Sequence, residues 1–160
     1  MNIVTVSLAE DTEEPLWFNK IESFMQDVMQ KLNYSDQEVS VLFCTNSFIA
    51  KLNSEYRNVE NATDVLSFEN GESYIDQNGK TWKCMGDIVI SIEMIAQNAL
   101  SFNTDSDTEL KRLLIHGLLH LNGYDHGDEH LEQNINPSCE MLVLQEKLVQ
   151  DFSKEKIIEN

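Results

Sequence analysis

One stretch of the chain, Leu113–His126 (LLIHGLLHLNGYDH), limits the possible folds most, because it reads as a helix that must stop at a fixed place. It holds three of the four histidines: His116, His120 and His126. Residues four apart share one face of a helix, so His116 and His120 present their imidazoles to a common point. Asn122 and Gly123 are residue types that end helices, and the turn beyond them can bring His126 back toward that point. Three nitrogen donors with a fourth position open form the arrangement of a catalytic zinc site.

His116, His120, Gly123 and His126 also keep the register of the metzincin zinc signature, H-E-x-x-H-x-x-G-x-x-H. A histidine pair at i, i+4 is a weak signal, but the added Gly and third histidine make it specific. Neutral imidazole, the metal-binding form, is available near neutral pH. Asp125 is either an outer hydrogen-bond acceptor for a ligand ring or a turn former. His130 reads as a solvent residue, with a ligand role as the alternative, and Met141 as core packing on a helix, with a methionine turn beneath the metal as the alternative. The decisive departure is Gly117, which stands where a metalloprotease carries its general-base Glu. Without that carboxylate, peptide hydrolysis lacks its proton acceptor, so the segment points to a different metal-assisted hydrolysis.

At 160 residues the chain is expected to form one domain, 1–160, with a core of its own. No apolar run suits a membrane span, and the N-terminus lacks the basic flank of a signal peptide. A cytoplasmic protein with no membrane partner is therefore expected. Cys44, Cys84 and Cys139 are scattered and odd in number, which argues for reduced thiols. Asp plus Glu total 28 against 11 Lys plus Arg, a net charge of −17 that repels phosphates. Any RNA contact must then use local basic groups.

The hydrophobic pattern predicts strands over 2–8, 39–44, 64–68 and 86–91. It predicts helices over 16–32, 47–56, 92–102, 108–121 and 137–152, with Thr45 or Asn46 and Ser91 as caps. Arg57–Ala62 reads as a polar loop. Glu69–Met85, with Asn78-Gly79 between SYIDQ and KTWK, reads as a hairpin insertion beside the sheet. The expected class is α+β, a small mixed sheet of about four strands packed with helices, metalloprotease-like around a three-histidine zinc site.

Three segments, HGLLHLNGYDH (116–126), RNVENATDVLSFE (57–69) and MGDIVIS (85–91), together resemble the YbeY family of bacterial rRNA maturation endoribonucleases. The likeness runs over most of the chain in the same order. It implies a zinc-dependent, single-strand-specific endoribonuclease acting in small-subunit rRNA 3′-end maturation and ribosome quality control. It implies one Zn2+ ion on His116, His120 and His126, and a functional Arg57 placed to bind phosphate. It also implies single-stranded rRNA, the ribosomal small subunit with a basic ribosomal protein, and an Era-type GTPase as partners. The alternatives are a non-catalytic zinc-containing assembly factor and a protease-like hydrolase, the latter disfavoured by Gly117. The chain departs from the family at Glu69, where Pro is common, and in the long segment that follows. Lys80 and Lys83 there are candidates for the positive charge that the rest of the surface lacks.

Overall fold

In β2 (Gln37–Cys44) and β5 (Thr81–Ser91), alternate side chains face opposite sides of the sheet. Val39, Val41, Phe43, Ile88 and Ile90 enter the main core, whereas Cys44 and Val89 join Ile49 and Leu66 in a smaller cluster. Both faces are apolar here, so both need cover. The computed structural model describes residues 1–159. Its sheet has the order β1 (Ile3–Leu8), β2, β5, β3 (Val65–Glu69), and β4 (Ser73–Ile75) also pairs with β5. β1, β2 and β5 run parallel, and β3 and β4 run antiparallel to β5. This is the mixed sheet expected, with β4 as an additional strand.

Helices α1 (Ile21–Lys31), α4 (Ser106–Leu121) and α5 (Glu140–Asp151) supply the main core, and α2 (Asn46–Arg57) covers the other face. α3 (Ile92–Ser101) packs against α4 and adds Ile95 to the main core. Each fully buried Phe, Ile or Leu stabilises this arrangement by roughly 1.5–3 kcal/mol. α4 is buried nearly all round, with Leu110, Leu113, Leu114, Ile115, Leu118, Leu119 and Leu121 inside together with Asp107, Glu109 and Lys111. Such a helix belongs in the interior. A buried ion pair, Asp107 to Lys111 at 2.7 Å, ties the end of the chain to it. Asp107 accepts the backbone N–H groups of Ile157 and Ile158, and the Lys111 ammonium donates to the Phe152 carbonyl.

Several boundaries differ from the sequence expectation for local reasons. The first helix opens as a 3-10 turn at Phe18–Lys20, a tighter winding in which Trp17 and Phe18 both pack edge-on against Phe43. Arg57 is the last residue of α2 and not the first of a loop, because Asn58 adopts the left-handed conformation that ends the helix. Ser91 precedes α3 without capping it, since its hydroxyl donates to the Asn46 side chain at 2.6 Å. α5 starts three residues late, with Glu129 accepting the N–H groups of Ser138 and Cys139 just before it.

The two short strands expected at KTWK and GDIVIS are one long strand, β5. Gly86 joins them at φ 132°, where a Cβ would run into the Phe68 carbonyl oxygen, so only glycine lets the strand pass. Residues 70–85 therefore continue the sheet beyond Glu69 instead of standing beside it. Trp82 is buried there, its indole N–H donating to Asp76 at 2.9 Å, with the Lys80 ammonium 4.4 Å from its ring centroid. Lys80 is also paired with Asp36 at 3.0 Å.

Candidate metal centre and cleft

α4 begins with Asp105, whose carboxylate accepts the Thr108 N–H at 2.8 Å. It ends in a Schellman turn: the Gly123 N–H bonds the His120 carbonyl, and the Tyr124 N–H bonds the Leu119 carbonyl. Gly123 sits at φ 90°, a conformation that strains any residue with a Cβ. This turn reverses the chain and returns His126 to the face carrying His116 and His120. One nitrogen from each ring can be chosen so that all lie within 4.8 Å of one another, and the three together could hold a metal ion.

Outer contacts fix two of the rings. His116 Nδ1 lies 2.6 Å from Gln145 Oε1, and His120 Nδ1 lies 3.1 Å from the Tyr124 carbonyl oxygen. Both partners are acceptors, so each Nδ1 carries its proton and each Nε2 lone pair is left for a metal. Burial pushes the His116 pKa down to about 4, against the opposing pull of the Gln145 hydrogen bond. Burial also lowers the pKa of His120, and the charge His126 would carry adds to the effect. At neutral pH these two rings are neutral, the state that coordinates metal. Among the described residues, nothing hydrogen-bonds the buried Nδ1 of His126, which is costly for a polar atom and fits a ligand role. The donors present fit a metal such as zinc.

A chain of polar groups backs Gln145. Its amide donates to Glu146 at 3.0 Å, Arg112 grips Glu146 with two N–H groups at 2.9 Å, and a third reaches Glu109 at 2.9 Å. Gln145 and Glu109 are each 1% exposed. Sequence reasoning missed this network, although Gln145 sits on the α5 stripe of Met141, Leu142, Leu148 and Val149, and a polar residue on an apolar stripe is a signal. Asp125 takes the turn role, its carboxylate accepting the Gly127 N–H at 3.0 Å. Met141 is buried in the core. His130 is exposed, with its ring centroid 5.4 Å from that of His126.

The three histidines line a cleft of about 830 Å³ that Arg57, Ser67 and Glu69 also line. Arg57 donates to the Ser67 carbonyl at 2.8 Å across the edge strand β3, and its Cζ lies 5.7 Å from the Phe68 ring centroid. Behind it, Asn53 bonds the Asn61 carbonyl, and Asp64 accepts from the Val65 N–H and from Asn98, which set the path of the intervening loop. Among the described residues lining the cleft, Arg112 is paired with Glu109 and Glu146, while Arg57 makes no ion pair. Hairpin residues 70–85 do not line the cleft. Gly117 faces the sheet, where a Cβ would lie 2.6 Å from Ile88 Cγ2. Packing on Ile88 therefore crowds the position a protease uses for its base.

A family model described as Endoribonuclease YbeY matches residues 6–152. Proteins named Endoribonuclease YbeY share this similarity. The one from Treponema denticola is 42% identical over 156 residues, covering 98% of this chain and 97% of its own. The one from Treponema pallidum (strain Nichols) is 40% identical over 149 residues, covering 93% and 89%. The solution structure of TM1509 from Thermotoga maritima aligns with a TM-score of 0.62 and 25% identity over 95% of this chain and 91% of that one.

Proposed function

This chain belongs to the Endoribonuclease YbeY family, and from that premise we propose that it is a zinc-dependent nuclease cutting single-stranded RNA in small-subunit rRNA 3′-end maturation and ribosome quality control. The observation that carries the reading is one cleft lined by three convergent imidazoles and by an arginine that forms no ion pair among the described residues. His116, His120 and His126 are the proposed ligands of one zinc ion. When bound, that ion supplies Lewis acidity toward a phosphoryl oxygen.

The chain's own residues do the rest. Gln145 and the Tyr124 carbonyl hold two ligand rings in one tautomer and orientation. Arg57, anchored through one N–H to Ser67, retains further donors of its planar fork for phosphate oxygens and for the charge that builds on them. Packing against Ile88 disfavours any side chain at position 117, which supports attack by a group whose proton does not go to that site and disfavours the protease reading. Three ligands in place of four favour catalysis over a structural zinc in an assembly factor.

The partners in this reading are single-stranded rRNA, the small ribosomal subunit with a basic ribosomal protein, and an Era-type GTPase, all in the cytoplasm. The net charge of −17 supports a basic protein partner. No helix among the described residues is long and apolar enough to cross a membrane. The test pairs elemental analysis with cleavage of single-stranded RNA. His126→Ala is expected to lose metal and cleavage together, and Arg57→Ala to keep metal and lose cleavage. Full cleavage by metal-free His126→Ala would end the reading.

A further inference from the structure

Tyr56 precedes Arg57 in the last turn of α2 and is 66% exposed. Exposure of a single aromatic means little, but this ring is held in place. It meets Phe68 of β3 in a T-shaped contact, with centroids 5.6 Å apart and planes at 72°. The same Phe68 ring lies under the Arg57 guanidinium. A T-shaped contact leaves at least one face of Tyr56 uncovered by Phe68, in keeping with its exposure. The left-handed Asn58 and the bond from the Val59 N–H to the Asn53 carbonyl fix the helix end that carries Tyr56 and Arg57.

We propose that Tyr56, braced by Phe68 and set beside Arg57, is a stacking platform for one unpaired base of the RNA strand. The inference rests on the nuclease reading above and adds to it a base-binding subsite outside the metal centre. Its physical logic follows from charge. A protein carrying −17 gains little from general attraction to phosphates. Stacking on an aromatic face is insensitive to charge and tolerant of sequence, because every base has a π-face. A base inside a duplex has both faces covered by its neighbours, so the platform also selects for single strands. Arg57 then holds the adjoining phosphate at the cleft rim, and the strand crosses β3 toward the histidines.

The experiment measures binding of a short, fluorescently labelled single-stranded RNA to the metal-loaded protein over a range of salt. Tyr56→Ala is expected to weaken binding roughly 5- to 150-fold while leaving the slope of log K against log salt unchanged. Arg57→Ala is expected to make that slope shallower by about 0.7, the value for one lost phosphate contact on a single strand. Tyr56→Phe should restore most of the affinity lost in Tyr56→Ala. An RNA series with one abasic position each should show a position at which wild type loses affinity and Tyr56→Ala loses no more. Bound metal in Tyr56→Ala, equal to wild type, checks that the variant is folded. Equal affinity of Tyr56→Ala and wild type, or a loss that Phe does not restore, overturns the platform alone. A wild-type protein that binds no single-stranded RNA overturns the nuclease reading and the platform together.

Discussion

Along one wall of the cleft, His116, Gln145 and Glu109 are joined by hydrogen bonds through Glu146 and Arg112, with Gln145 and Glu109 almost entirely buried; the other wall carries an exposed Arg57, with Tyr56 beside it outside the cleft lining. The first wall needs neutral donors in fixed positions, and burial supplies both, since it removes the proton from His116 and leaves few rotamers open. The second wall needs reach. A guanidinium that is to meet a phosphate cannot already be neutralised, which is the fate of Arg112 between Glu109 and Glu146. Under the proposed function, holding a metal and recruiting a strand place opposite demands on burial, and the buried and exposed groups lining the same cleft match them.

The contrast is most exposed to acid. His116 has a folded-state pKa of about 4 against an ordinary 6.5, so between those values the unfolded chain binds the extra proton. Its contribution to stability is complete above pH 6.5 and lost as pH falls toward 4. In chelator-treated protein this is worth on the order of 2–3 kcal/mol. Urea midpoints of wild type should therefore fall more steeply across that window than those of His116→Gln. Parallel slopes would show that the histidine wall is wetter than described.

Gln145→Leu removes the acceptor on His116 and should lower zinc affinity by roughly 10- to 100-fold in a chelator competition. Arg57→Ala, on the other wall, should leave zinc affinity unchanged. Equal losses would mean that the two walls are not independent. Gly117→Ala sets a helix gain of about 1 kcal/mol against overpacking of about 1–3 kcal/mol on Ile88. Net destabilisation is expected, with part of it relieved when Ile88→Ala is added. The smallest effect belongs to the hairpin, which lies outside the cleft. Lys80→Ala should cost no more than about 1 kcal/mol through its contacts with Asp36 and Trp82. Lys80→Glu with Lys83→Glu should leave RNA cleavage unchanged, and a loss of cleavage would give the hairpin a part in binding after all.

Much of the fold was readable from local pattern. The strand order in sequence, the helix carrying the histidines and the small mixed sheet follow from apolar periodicity and from glycine and asparagine at the breaks. The fusion of two strands into β5 was not, because it depends on Gly86 passing close to the Phe68 backbone, a contact that leaves no periodic trace. Spacing singled out the histidines and the family resemblance pointed to Arg57, but their shared cleft could not be read from either. Gln145 lies 29 residues from His116, and only the packing of α5 on α4 joins them.

What the chain determines by itself around His116–His126 is a geometry of short range. The helical repeat aligns His116 with His120, and a glycine able to take a positive φ turns the backbone toward His126. Tertiary structure decided the rest: which nitrogen of each ring is free, which rings are stripped of water, and which arginine keeps an unpaired charge. Dihedral preferences act between neighbours and are written in residue order. Burial and long-range hydrogen bonds depend on which surfaces meet once the sheet and helices have packed.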